Sequence, residues 1–161
     1  MMLNMADRKN YLRGLLILTG DVKQVSASES KKINEVCRLL ELNQDFVKSV
    51  IDEFANEHYV IENPPKFINH QLAEVFLKDG IRMAFIKKAL HLYKLHWLLN
   101  FAVMNDFSKQ WFYIELEYYL DNSSEYFKNT LEIQKYIEKN SVISGTSGRE
   151  GYEVNSAGTW N

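Results

Sequence analysis

"SASESKKINEVCRLLELNQDFVKSVIDEF", residues 26–54, decides the fold. Ser26 is followed three positions later by Glu29, the spacing at which a capping hydroxyl and a returning carboxylate satisfy each other's free backbone donors. A helix begins there. Ile33, Val36, Cys37 and Leu40 give it an apolar stripe at helical spacing. Asn43 can cap a second helix, in which Phe46, Val47, Val50, Ile51 and Phe54 continue the pattern. Two short helices in succession are predicted, with no period-2 alternation that would suggest a strand.

On the N-terminal side, "DRKNYLRGLLILTG" carries Tyr11, Leu12, Leu15, Leu16 and Leu18 at helical spacing, with Gly20 placed to stop a first helix near 7–19. On the C-terminal side, "NPPKF" holds the only two prolines, Pro64 and Pro65, and closes the first half. The plan then repeats. "HQLAEVFLKDGIRMAFI" reads as a long helix, and Leu95, Leu98, Leu99 and Ala102 form the stripe of the next one, ended by Asn105. A shift of sixty-two positions lays Ile33, Val36, Cys37, Leu40 and Asn43 on Leu95, Leu98, Leu99, Ala102 and Asn105, a weak internal duplication of a helix pair.

Beyond it, "SKQWFYIELEYYL" is aromatic on nearly every side, which calls for deep burial or an exposed contact face. Asn122 and Glu125 stand at capping-box spacing before "YFKNTLEIQKYIEKN", whose Phe127, Leu131, Gln134 and Ile137 form a narrow seam. From Ser141 the chain has four glycines, no period and a lone Trp160, the composition of a flexible tail. The expected architecture is all-α. It is one compact bundle of about six or seven helices, built from two weakly duplicated helix pairs over residues 1–139, with a flexible polar tail over 140–161.

The 161 residues suit one core, and 46% hydrophobic with 25% charged residues is the composition of a folded chain. Nineteen Lys and Arg against 21 Asp and Glu leave a formal charge of -2, so no global field draws the protein to nucleic acid or anionic membrane. The one cysteine, Cys37, makes no internal disulfide and fits a reducing compartment. No signal-peptide pattern and no membrane-length apolar run is present, so the expected location is cytoplasmic.

No nucleophile elbow or phosphate-cradling glycine loop occurs, and His58, His70, His91 and His96 form no zinc-binding spacing. No catalytic residue and no cofactor is assigned. Two constellations carry ligand chemistry. Asp21 and Glu29 offer oxygen ligands to a divalent cation where a turn meets a helix start. Lys87, His91 and Lys94 share one helical face within "IKKALHLYKLHW", where a phosphate or an acidic partner would be received.

The helix pairs, together with "GDVKQVSASESKKINEVCRLLELN", resemble the TerB-like family of small all-helical bacterial proteins, named for a tellurite-resistance protein. The match lies in Asp21 and the run Val25, Ser26, Ala27, Ser28, Glu29, over an arrangement spanning roughly residues 8–120. Val22 stands where that family has glycine, and Ile86, Lys87 and Lys88 stand where its second acidic turn would be. The resemblance implies a divalent-cation turn at Asp21 and Glu29, and a module that works beside other proteins. The expected function is a non-enzymatic cytoplasmic protein-interaction module, holding a protein partner through Trp111, Tyr118, Tyr119, Phe127 and Ile137. The alternative is a ligand-binding module for a divalent cation or a phosphate-bearing ligand at the two constellations above. Homo-oligomerisation stays open.

Overall fold

The computed structural model describes residues 3–19, 26–56, 63–85, 91–122 and 130–150. Helices account for nearly all of them: α1 (Met5–Thr19), α2 (Ala27–Leu39), α3 (Gln44–Asn56), α4 (His70–Ala84), α5 (Leu92–Met104), α6 (Lys109–Asp121) and α7 (Glu132–Glu150). Among the described residues there is no strand, and no helix is long and apolar enough to cross a membrane.

The helix starts follow local chemistry. Ser26 and Glu29 make the reciprocal capping box: Glu29 N donates to Ser26 Oγ at 3.2 Å, and Ser26 N donates to Glu29 Oε1 at 3.0 Å. Asn43 accepts from Asp45 N and Phe46 N, Asn69 from Leu72 N, and Ser108 from Trp111 N. Helix ends matter as much. After α2, Leu42 N donates to Cys37 O and Glu41 N to Arg38 O, the paired bonds of a Schellman turn, with Glu41 left-handed at φ 51°. After α5 the same bonds run from Phe107 N to Ala102 O and from Asp106 N to Val103 O, with Asp106 at φ 67°.

These matched turns set the register of the internal repeat. Met5–Thr19 and His70–Ala84 are both 15 residues; the four helices α2, α3, α5 and α6 are each 13. Each second-half helix starts sixty-five positions after its counterpart: 5 to 70, 27 to 92, 44 to 109. The repeat is therefore a three-helix unit at a shift of sixty-five rather than a helix pair at sixty-two. The two registers differ by three residues, close to one helical turn, so apolar stripes superpose in both. Turns and caps occur once per helix and separate them.

α1 and α4 pack against each other at the centre, and each carries the other two helices of its own unit. Gly14 permits the close approach, since a Cβ there would sit 2.5 Å from Phe76 Cζ. The Phe76 ring is fixed in turn by Tyr11 at 5.1 Å, Phe101 at 4.6 Å and Trp97 at 6.1 Å between centroids. Around this aromatic knot lie Leu12, Leu15, Leu18, Leu72 and Leu98, all without solvent exposure.

Two buried aspartates cap helices they do not belong to. Asp7 of α1 accepts from Ile68 N and Asn69 N, both at 2.9 Å, at the start of α4. Asp79 of α4 accepts from Glu132 N at 2.8 Å and Ile133 N at 3.0 Å, at the start of α7. A helix N-terminus presents free N–H groups and positive dipole ends, so each carboxylate is partnered where it would otherwise be too costly to bury. The proline segment is tied down as well. Asn105 accepts from Phe67 N at 2.8 Å and donates to Pro65 O at 2.9 Å.

The last helix departs from its sequence reading. Asn122 closes α6, its backbone N–H and side-chain amide donating to Tyr118 O and Tyr119 O. Glu125 and Phe127 lie outside the described residues. Leu131 precedes α7 and is buried together with Ile133, while Ile137 is half-buried against the core. Asp79, supplied from fifty-odd residues away, accepts from the first two backbone amides of α7. The α7 backbone runs on to Glu150, into the segment read as tail; residues 151–161, with Trp160, lie outside the described residues.

Candidate functional site

Helix α6 is positioned by the Schellman turn at Asn105–Phe107 and by the Ser108 cap. Its inner stripe, Phe112, Leu116 and Tyr119, is buried. Its outer face carries Tyr113 at 50% exposure, Ile114 at 56%, Tyr118 at 57% and Leu120 at 53%. Exposed Glu117 and Asp121 lie among them, whereas Glu115 is half-buried and pairs with Lys78 at 3.7 Å. At the N-terminal end of the helix a half-buried ladder continues the aromatic surface. Trp111 stacks on Phe107 at 4.7 Å, and Phe107 stacks on His70 at 4.4 Å.

The first repeat supplies the control. At the six outward positions where α6 has Lys109, Gln110, Tyr113, Ile114, Glu117 and Tyr118, α3 has Gln44, Asp45, Lys48, Ser49, Asp52 and Glu53, and all twelve residues are exposed. The inward positions stay apolar in both helices: Phe46 and Trp111, Val47 and Phe112, Ile51 and Leu116, Phe54 and Tyr119. The fold therefore needs the inner stripe and makes no demand on the outer one. Single exposed apolar residues are ordinary, but four on one short helix, three of them opposite Lys48, Ser49 and Glu53 in α3, form an exposed apolar patch.

The residues proposed from sequence fall on both sides of this division. Tyr118 is on the outer face. Trp111 is half-buried in the ladder. Tyr119 corrects the expectation of partner contact: it is 2% exposed and packs on Phe85 at 5.1 Å, because it occupies the inward position that Phe54 holds in α3. Ile137 packs on the core, remote in sequence from α6, and Phe127 lies outside the described residues.

Of the two ligand constellations, Glu29, His91 and Lys94 are among the described residues. Lys94 does not share a wet face with His91, since it is 3% exposed, at the position where the first repeat buries Glu29. His91 is exposed just before α5 and stacks on Tyr93 at 5.7 Å between centroids; Lys87 lies outside the described residues. Glu29 is fully buried, and its Oε1 is engaged by Ser26 N; Asp21 lies outside the described residues. Among the described residues no three His, Cys, Asp or Glu side chains come together as a cation cage.

Burial also governs the remaining reactive groups. It pushes the Cys37 thiol up to about 11, so the sulfur is held as the neutral thiol and not as a nucleophilic thiolate. Asp79 is fully buried and accepts from Tyr11 Oη at 2.7 Å in addition to the two α7 amides. Arg82 lies 3.9 Å from the Asp79 carboxylate, 3.7 Å from Glu132, and donates to Thr130 O at 2.9 Å. Desolvation raises the Asp79 carboxyl above its ordinary range despite these partners, and burial together with Asp79 raises the Tyr11 phenol well above its own. The cluster binds α1, α4 and α7 together.

Sequence reasoning missed Tyr113, Ile114 and Leu120. The signal was present in the repeat, since at a shift of sixty-five they stand opposite Lys48, Ser49 and Ala55. No family model, no curated protein and no solved structure matches this chain.

Proposed function

We propose that the protein is an interaction module whose docking surface is the outer face of α6, and that its partner presents an apolar helix face flanked by Lys or Arg. The observation that carries this reading is the contrast between equivalent positions: Tyr113, Ile114 and Tyr118 replace Lys48, Ser49 and Glu53 on otherwise matching helices. Exposed tyrosines give large contact area at small entropic cost, and are enriched where binding energy concentrates. Glu117 and Asp121 lie among the apolar side chains, with Lys109 at the N-terminal end of the face, so a basic rim on the partner meets the acidic pair. The reading agrees with what the TerB-like resemblance implies, a small helical module working beside other proteins.

A photo-crosslinking amino acid placed at Ile114, and in a separate variant at the equivalent Ser49, tests the face in cells of its own host. The expected result is a discrete adduct from position 114 alone, mapped by mass spectrometry to a Lys- or Arg-flanked apolar helix. The purified segment should then bind the chain. Binding should weaken about a hundredfold or more when Tyr113→Lys, Ile114→Ser and Tyr118→Glu are combined. Equal adducts from both positions, adducts to a second copy of this chain, or unchanged affinity of the triple variant would overturn the reading.

A further inference from the structure

A cleft of about 290 Å³ lies between α1 and the proline segment, lined by Lys9, Asn10 and Arg13 from one face of the helix and by Asn63 and Pro65 across from them. Gly14 and Ile17 also line it and supply apolar floor. We infer that this cleft binds a small phosphate-bearing molecule, with Lys9 and Arg13 on the phosphate and the apolar floor against its body. The reading goes beyond the α6 surface and does not depend on it.

Both cations also touch α3. Lys9 Nζ stands 4.9 Å from the centre of the Phe46 ring, and Arg13 Nη2 lies 3.6 Å from Glu53 Oε2. The pair with Glu53 is a single long contact between partly exposed groups, of the weak kind a better anion displaces. A phosphate monoester carries close to two negative charges at neutral pH and offers three acceptor oxygens, matching two cations and the amides of Asn10 and Asn63. A carboxylate would leave one cation unmatched. The volume is at the small end of ligand sites, enough for a phosphate with a compact body and too little for a dinucleotide.

The second repeat again shows that the feature is local. Where α1 has Lys9, Asn10 and Arg13, α4 has Glu74, Val75 and Lys78, and Lys78 is already engaged by Glu74 at 3.2 Å and Glu115 at 3.7 Å. The cation pair is thus peculiar to the first unit and is not required by the fold.

Phenyl phosphate is the probe, titrated calorimetrically into the full chain, with phenol as the control that keeps the ring and removes the charge. The expected result is saturable one-to-one binding of phenyl phosphate alone. Arg13→Gln and Lys9→Gln should each weaken it about tenfold or more, and Lys109→Gln on α6 should leave it unchanged. Glu53→Gln should tighten binding, because it removes the carboxylate that competes for Arg13; a merely structural role for that pair does not produce a tighter complex. No saturation by about 10 mM, or saturation that Arg13→Gln and Lys9→Gln leave intact, would overturn the site. Arg13-dependent sedimentation with phosphatidate vesicles, without binding of phenyl phosphate, would assign the cations to a lipid surface and overturn the small-molecule site as well.

Discussion

Helices α3 and α6 are the same length, follow the same Schellman turn, and bury the same stripe, yet one shows water a polar face and the other a row of tyrosine, isoleucine and leucine. A difference confined to outward positions cannot come from packing. It teaches that the two units diverge where the fold leaves them free, and that the freedom was used in opposite ways. The second unit carries an exposed apolar patch on α6; the first carries a cleft lined by Lys9 and Arg13 on α1.

The strongest way to break the comparison is at the buried capping aspartates, where the units also differ. Asp7 meets two backbone amides, while Asp79 meets two amides, the Tyr11 hydroxyl and the Arg82 guanidinium. Asp79→Ala removes the one fully buried carboxylate beside Arg82 and the acceptor at the α7 N-terminus, and should cost about 3–5 kcal/mol of unfolding free energy. Asp7→Ala loses a cap without orphaning a charge, and should cost about 1–2 kcal/mol. Denaturant melts of the two variants check the order. Equal losses would mean that the remaining partners of Arg82, Thr130 and Glu132 among them, suffice without Asp79.

A smaller contrast sits at the α1–α4 crossing. Gly14→Ala places a methyl carbon 2.5 Å from Phe76 Cζ, and that ring is locked by four aromatic neighbours, Tyr11, Phe67, Trp97 and Phe101. Gly80→Ala meets Leu18 Cδ1 at 3.0 Å and Leu98 Cδ2 at 3.1 Å, ends of side chains that can rotate by a few tenths of an ångström. Gly14→Ala should therefore lose about 1–3 kcal/mol, and Gly80→Ala clearly less, because a helical alanine gains back part of the strain. Thermal unfolding of both proteins, with heat capacity held common, reads the difference; a more damaging Gly80→Ala would show that α1 and α4 can separate at Gly14 without cost.

How far the sequence went follows the range of each interaction. The capping box at Ser26 and Glu29, the Asn43 cap and the stripes of α1, α2, α3 and α5 are local patterns, legible within a turn or two. The repeat register was blurred by helical periodicity, because a slip of one turn preserves every stripe. The start of α7 was not legible at all, since its cap is Asp79. Burial of Tyr119 and Lys94 was missed for the same reason: each looked like part of an aromatic or basic cluster in linear order, and only the α3 and α2 counterparts show that both positions face inward.

The finest test concerns the sign of a pH effect at Asp79. Burial raises this carboxyl against the pull of Arg82, Tyr11 and the two α7 amides, while in the unfolded chain it titrates near the ordinary value of about 3.9. The native state then holds its proton more tightly than the unfolded state. The group's stabilising contribution is complete below the unfolded value and is lost as pH rises through the raised native one. Asp79→Asn removes the titration while keeping an acceptor oxygen. Melting temperatures of wild type and Asp79→Asn, measured in parallel from pH 7 down to pH 4, should therefore shift in favour of the wild type on acidification, with other groups cancelling in the difference. The opposite slope would show that the donors converging on Asp79 outweigh its burial, and that the second unit holds its borrowed cap as a fully satisfied anion.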